Sequence, residues 1–319
     1  MSPALWWALG TIDGQRANRF TAKPGRLHGS KDGPFVLSRR SDDIDKIVSA
    51  LMVQGGGSRR SSEVHVMLQR TDGNGEANFL LSLLEEDVRR EITNAGTIVK
   101  LVLGDILVSA GAPIERVFFL SSGIASVVVV SRSGRKTEAG VIGNEGFVPS
   151  GALVGAKTSL TEIVVQAAGE ALSVDIQSFD AVLSKYRSFS DILTCALHVS
   201  RTQMECTAAS NAIQPVTERL ARWLLLCHDR VHGNQLQLTH DFLSTMLAVR
   251  RASVTDALHV LESHGFIRSE RGKVTVRNRE MLETYARELY GMPEEENDRV
   301  FARFLRAQPP KMQLTTPSL

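Results

Sequence analysis

Between residues 241 and 262 the apolar positions fall at helical spacing twice in quick succession. Leu243, Met246 and Leu247 stand at i, i+3, i+4; Val254, Ala257, Leu258 and Leu261 stand at i, i+3, i+4, i+7. Each stripe fits a helix with one buried face. Only Ala248 and Val249 clearly separate them, so the helices must cross sharply, as in a helix-turn-helix. The outward face of the second helix then carries Arg251, Ala252, Thr255, Asp256 and His259. Such a face can read a DNA groove, or it can be the solvated side of an ordinary helical hairpin. The next stretch, GFIRSERGKVTVRN (265–278), shifts the balance towards the groove. It has a Gly stop, a short apolar strand start, a basic turn and the alternating Val274-Thr275-Val276. This pattern predicts a hairpin with Arg268, Arg271 and Lys273 near its tip, a wing whose cations would sit against phosphate.

Upstream the period is different. Residues 97–147 show short β-branched runs broken by glycines at 104, 111, 123, 134, 140, 143 and 146, and 161–176 adds two more strands around Gly169. Turn signals every 8–12 residues predict an antiparallel sandwich or barrel, here a β-roll of about eight strands over roughly 97–176. A helical stretch, 78–96, precedes it. Another, 177–213, follows, in which Ile192, Ala196, Val199, Gln203, Cys206, Ser210 and Ile213 step by 4, 3, 4, 3, 4, 3. That is the spacing of a coiled-coil seam. The stripe is longer than a small roll can cover, so it predicts a homodimer; the alternative is a helix packed on its own roll. Gln203 and Ser210 would weaken such a seam. A further helix, QPVTERLARWLLLCHDRVHG (214–233), opens near a Pro and stops at Gly233. Its stripe of Val216, Leu220, Trp223, Leu224 and Cys227 predicts a buried face.

The predicted class is therefore α+β. Residues 1–66, rich in Gly, Ser, Arg and Asp, read as a disordered extension with one marginal helix near 42–53 and a linker-like QGGGSRRSS at 54–62. This extension is either a regulatory arm or an over-long translation start, since Met67 opens a more ordinary sequence. A β-roll effector domain (67–188), a dimerisation helix (189–213), a winged helix-turn-helix (214–290) and a C-terminal tail (291–319) follow.

Composition narrows the function classes. The chain has 319 residues, enough for two domains, and Lys+Arg 37 against Asp+Glu 35 leaves a net charge of only +2. Any basic footprint must be local. Three cysteines without close pairing fit a reduced, cytoplasmic protein, and ALWWALG (4–10) is too short to span a bilayer. No histidine lies between His65 and His198, so the roll cannot build a cupin-type metal site. No nucleophile elbow, phosphate loop or dinucleotide fingerprint is present either. The sequence predicts neither an enzyme nor a metal protein.

The order of roll, long helix, helix-turn-helix and wing resembles the Crp/Fnr family of bacterial transcription regulators, over about residues 76–290. GDILVSAGAPIERVFFLSSGIASVVV is similar to that family's roll, and LAVRRASVTDALHVLESHGFI to its recognition-helix signature. The resemblance implies a homodimer on a two-fold symmetric double-stranded DNA site upstream of promoters, RNA polymerase as a further partner, no membrane, and a roll that senses a signal. Arg251 matches the family's guanine-reading arginine, and its fork fits O6 and N7 of guanine. Ala252 stands where relatives often carry glutamate, and Asp256 where several carry a second arginine. Base reading would then rest on Arg251 with Thr255, Asp256 and His259. Arg250 and Ser253 sit at the helix N-terminus, where phosphate contact is natural.

The sensing site departs further from the family. Cyclic-nucleotide-binding members carry a Gly-Glu pair and then an arginine on the cyclic phosphate. Here Glu145 and Gly146 remain loosely, Ser159 stands where the arginine belongs, and Lys157 lies nearby. A point charge is a poor substitute for a bidentate fork, so a cyclic nucleotide is not the expected ligand, although a cyclic-AMP-responsive regulator stays the alternative. Residues 1–194 hold no cysteine, which excludes the family's N-terminal iron–sulfur cluster. Cys195 and His198, with Cys206 further along, could form a thiol switch, but buried small hydrophobes are the plainer reading. A winged-helix scaffold that binds protein instead of DNA is the rival from another class.

Overall fold

The computed structural model describes residues 78–286 and 289–307. The expectations for residues 1–66, including the helix near 42–53, the linker at 54–62 and the alternative start at Met67, lie outside the described residues.

Asn78 opens the described chain as a buried cap. Its Oδ1 accepts from the backbone N–H of Leu80 and Leu81, starting helix α1 (Phe79–Ser82), and its Nδ2 donates to the carbonyls of Leu120 and Gly146 in the roll. The predicted single stretch 78–96 is two helices, α1 and α2 (Glu86–Asn94). Leu83 and Leu84 between them are buried, so the break brings a second apolar group inward.

Eight strands follow: β1 (Gly96–Leu101), β2 (Ile106–Val108), β3 (Arg116–Leu120), β4 (Ile124–Val130), β5 (Lys136–Ile142), β6 (Phe147–Val148), β7 (Thr161–Ala167) and β8 (Gly169–Asp175). They make two four-stranded antiparallel sheets, ordered β1-β8-β3-β6 and β2-β7-β4-β5. The alternation along β3 shows why both faces of the first sheet are apolar. Phe118 and Leu120 point into the roll with Ala125, Val127, Ile163 and Val165. Val117 and Phe119 point the other way, into a second core with Phe147, Phe179 and Phe189. The rings of that core lie close together, Phe119 being 5.8 Å from Phe147 and 6.1 Å from Phe189.

Helix α3 (Ile176–Lys185) is capped by Asp175, whose carboxylate accepts from Ser178 N–H. Tyr186, in extended conformation, breaks the predicted run before the 27-residue helix α4 (Arg187–Ile213). Gln214-Pro215 turns the chain into α5 (Val216–His228), followed by β9 (Gln235–Gln237), α6 (His240–Met246), α7 (Arg251–Ser263), β10 (Ile267–Glu270), β11 (Lys273–Val276), α8 (Arg279–Ala286) and α9 (Met292–Ala307). Helix α9 departs from the expected tail at 291–319. It lies along α4, with Phe301 fully buried and edge-on to Phe79 at 5.3 Å.

That packing corrects the reading of the seam on α4. Ile192, Ala196, Gln203, Cys206 and Ser210 are buried, and Val199 half-buried, by the chain's own elements. Phe301, Val300, Phe304 and Leu305 of α9 share a core with Ile192, Cys195, Ala196 and Val199. Gln203 Oε1 accepts from Val141 N–H in β5 at 2.8 Å, and Ser210 Oγ donates to Gln214 Oε1. Ile213 alone of the seven is exposed, at 68%. The stripe is indeed too long for the roll to cover, but α9 and α5 complete the cover from within. Seven-residue spacing reports an apolar face, not whose chain lies on it.

Candidate nucleic-acid interface

Helices α6 and α7 meet as the two stripes predict. Leu243, Met246 and Leu247 face Val254, Ala257, Leu258 and Leu261, and all seven are buried. Between them Ala248 has φ +53°, the left-handed region that an L side chain enters at a cost of roughly 1–2 kcal/mol. Ala248 closes the end of α6 there, with Val249 N–H donating back to Ser244 C=O. Thr239 caps α6, its hydroxyl accepting from Phe242 N–H.

The outward face of α7 presents Arg251, Ala252, Asp256 and His259 as exposed side chains, with Ser253 and Thr255 half-buried. Arg250 is the exposed N-cap residue, so its side chain and the first N–H groups of α7 share one end of the helix. Arg251 is 66% exposed and lies 3.4 Å from Asp241 of α6, a loose pair that a ligand can displace. Thr255 is more committed: its hydroxyl is 3.0 Å from His240 Nδ1 and donates to Arg251 C=O. That leaves Arg251, Asp256 and His259 as the groups on this face with free reach.

The wing forms as predicted, with one addition and one correction. The addition is β9, which pairs with β11 and makes the hairpin a three-stranded sheet, order β10-β11-β9. Glu270 pairs with Lys273, leaving a two-residue loop of Arg271 and Gly272, and Gly272 takes φ +74° as such a loop needs. The correction concerns charge. Glu270 sits 3.2 Å from Lys273 and 3.5 Å from Arg268, and hydrogen bonding and charge from Lys273, then the charge of Arg268, hold its carboxyl below its ordinary range. Two of the three wing cations are therefore partly neutralised, and Arg271 at the tip is the exposed one without that partner.

The four residues read as an effector site do not converge. Glu145 is turned away from the roll interior: its Oε1 accepts from Arg230 Nε of the α5 end at 2.7 Å and from Gly143 N–H at 3.1 Å. Gly146 packs so closely on Ile142 that a Cβ would lie 2.6 Å from its methyl carbon. Lys157 is exposed. Ser159 is buried in its own loop, its hydroxyl donating to Thr161 C=O and its backbone paired with Gly111 and Ala112. These geometries assemble no anion cradle from the four.

The cysteines are all buried. Cys195 Sγ accepts from Arg303 of α9 at 3.2 Å. Burial pushes the Cys206 thiol up and the Cys227 thiol well up, so neither is poised as a thiolate. Among the described residues no helix is long and apolar enough to cross a membrane.

Comparison with known proteins fits this layout. Residues 98–186 match the model of a cyclic nucleotide-binding domain, and residues 218–285 that of a Crp-like helix-turn-helix domain. A search of curated proteins finds no match. Among solved structures, a CRP-family transcriptional regulator from Thermus thermophilus aligns over 60% of this chain and 97% of its own, with TM-score 0.52 and 16% identity. FixK2 from Bradyrhizobium japonicum aligns over 60% and 98%, with TM-score 0.51 and 15% identity. At such identities the likeness is one of fold.

Proposed function

We propose that this chain, a Crp/Fnr-type transcription regulator, binds a two-fold symmetric DNA site as a homodimer and answers to a signal received by its roll. The carrying observation is the outward face of α7, with Arg251, Asp256 and His259 exposed beside a wing whose tip carries Arg271. Recognition helices of such a dimer enter successive major grooves, so half-sites should lie about 34 Å apart. RNA polymerase is the further partner that binding upstream of a promoter implies. The missing phosphate-binding arginine at Ser159, and the engagement of Glu145 with Arg230, favour a signal other than a cyclic nucleotide.

Base reading and phosphate contact divide between α7 and the wing. Arg251 is the groove-face residue whose fork suits a bidentate contact to guanine, a discrimination of about 1–3 kcal/mol. Arg251→Ala should weaken binding to the cognate duplex while leaving a scrambled duplex nearly unchanged. Arg271→Ala should weaken both alike and lower the salt slope by about 0.9, one phosphate's worth of released counterions. Lys273→Ala should do less, because Glu270 already holds that ammonium. Fluorescence titrations at several salt concentrations separate these outcomes. Equal losses on both duplexes with Arg251→Ala would make Arg251 a phosphate clamp and leave base reading to Asp256 and His259.

On this reading the dimer contact uses α4 positions among those that the chain itself leaves wholly or partly uncovered, namely Leu197, Arg201, Ala208, Ala212 and Ile213. Sedimentation should find two protomers without DNA, and Ala208→Arg with Ile213→Arg should separate them without loss of helix content. A monomer in the unmodified protein would overturn this. Val199→Glu should instead destabilise the monomer, since Val199 packs against α9.

A further inference from the structure

The junction between roll and DNA-binding domain contains a buried chain of polar groups with more acceptors than the hydroxyl at its centre can serve. Glu138 on β5, Ser126 on β4, Gln166 on β7, and Trp223 and Cys227 on α5 are all buried. Trp223 Nε1–H donates to Glu138 Oε1 at 2.6 Å. Ser126 Oγ lies 2.7 Å from Glu138 Oε2 and 2.6 Å from Gln166 Oε1, while Gln166 Nε2 donates to Cys227 Sγ at 3.0 Å. A serine hydroxyl has one hydrogen to give. If it goes to Gln166 Oε1, the contact with Glu138 needs a proton on the carboxyl. If Glu138 is ionised, Ser126 must donate to it, and the Gln166 amide must turn so that its NH2 faces Ser126 and its oxygen takes the Cys227 S–H. The junction thus has two hydrogen-bond arrangements that differ by one proton.

We propose that Glu138 carries a proton when the DNA-binding domain is latched to the roll, and that losing it on mild alkalinisation loosens the latch. Trp223 is the connecting part, holding Glu138 through its indole N–H and lying edge-on to Phe242 of α6, 6.2 Å between ring centres. A change at Glu138 is thereby passed to the helix that supports α7. Burial pushes the Glu138 carboxyl up to about 7, against the opposing hydrogen bonds from Ser126 and Trp223 and the charges of Arg222 and Arg230. The charges that reach Glu138 are those of Arg222 and Arg230, which are shared with Glu294 of α9, a carboxyl that burial and then the charge of Asp229 also push up to about 7. Strands β4 and β7 bring the neutral Ser126 and Gln166, α4 brings Gln203 to β5, α6 brings Phe242 to Trp223, and Lys136 of β5 is paired with Glu162. Arg222 is occupied by the carbonyls of Leu289 and Gln203 and the Thr207 hydroxyl. Cys227 stays a thiol, its own titration driven well up by burial.

The direction follows from the raised value. An opened junction returns Glu138 to the ordinary 4.5, whereas the closed one holds its proton to about 7. The proton's contribution to closure is complete below the open-form value and is lost as pH rises through that interval, weakening closure by on the order of a hundredfold. No covalent chemistry is involved.

The test uses the full chain without DNA, so its failure leaves the DNA-binding reading untouched. With Trp6 and Trp7 changed to Phe, Trp223 is the sole tryptophan, and its emission should shift between pH 5.5 and 8.5 with a midpoint about 7. Glu138→Gln keeps an acceptor for the indole and a donor for Ser126, so it should hold the low-pH emission throughout. With Glu294, the other buried carboxyl pushed up to about 7, changed to Gln, the infrared carbonyl band of a buried carboxylic acid should still vanish over the same interval, a readout that does not depend on Glu138→Gln folding. A flat emission profile, a transition that persists in a folded Glu138→Gln, or no acid carbonyl band at pH 5.5 would each overturn the proposal.

Discussion

Arg230→Met is expected to destabilise the protein by about 3–5 kcal/mol, because it strips the partner from a buried carboxylate while removing little volume. Arg230 and Glu145 meet at 2.7 Å with side chains only 9% and 12% exposed. Burial works against the Arg230 charge, but Glu145, Asp229 and Glu294 more than offset it and hold the guanidinium above its ordinary value. Without Arg230 those carboxylates face one another around a cavity of about 40 Å³ that Glu145, Asp229 and Glu294 all line. The Leu226 carbonyl also loses its donor. Adding Glu145→Gln should restore part of the loss, since the carboxylate that Arg230 pairs with directly is then neutral while Asp229 and Glu294 remain. Urea titration of the two single variants and the double variant measures the coupling. A loss below about 1 kcal/mol for Arg230→Met, far under the cost of breaking a buried pair, would mean that the junction between roll and α5 is open in solution.

The second large effect belongs to α9. Phe301→Ala should cost about 3–5 kcal/mol, the usual range for emptying a buried phenylalanine site. Phe301 contacts Phe79 and Phe304 and shares its core with Ile192, Cys195 and Ala196. If 291–319 were a dispensable tail, the same substitution would cost nothing measurable by thermal melting. The expected fall in Tm is roughly 6–20 °C at 2–4 °C per kcal/mol. A cost below about 1 kcal/mol, outside the range for a buried aromatic, would return the α4 stripe to its reading as a seam between chains.

The contrast between α7 and α4 shows what local pattern reveals. Leu243, Met246 and Leu247 against Val254, Ala257, Leu258 and Leu261 are close in sequence, so their spacing states both the helices and their partner. The roll was legible for a similar reason, since β-branched runs between glycines mark strands and turns without reference to distant residues. The α4 stripe names a face but not its cover. The cover itself was readable, because Val300, Phe301, Phe304 and Leu305 repeat at helical spacing after acidic residues at 294–296. Long-range polar pairing was not legible. Glu145 and Arg230 are 85 positions apart, as are Glu138 and Trp223, and only the fold brings them together. Glu270 stood in plain view inside SERGK, yet its neutralising effect on Lys273 and Arg268 depends on the hairpin register.

The central claim is that a two-fold dimer of this chain reads DNA sequence through α7. The most direct measurement is a set of titrations of the full chain, at about 50 to 200 mM salt, on the DNA upstream of its own gene and on a scrambled duplex of equal length. Two protomers per duplex are expected, with the cognate duplex bound at least about a thousandfold tighter and a steep fall of both affinities with salt. Equal affinity for the two duplexes, or no binding to either at the lowest salt, would contradict that claim.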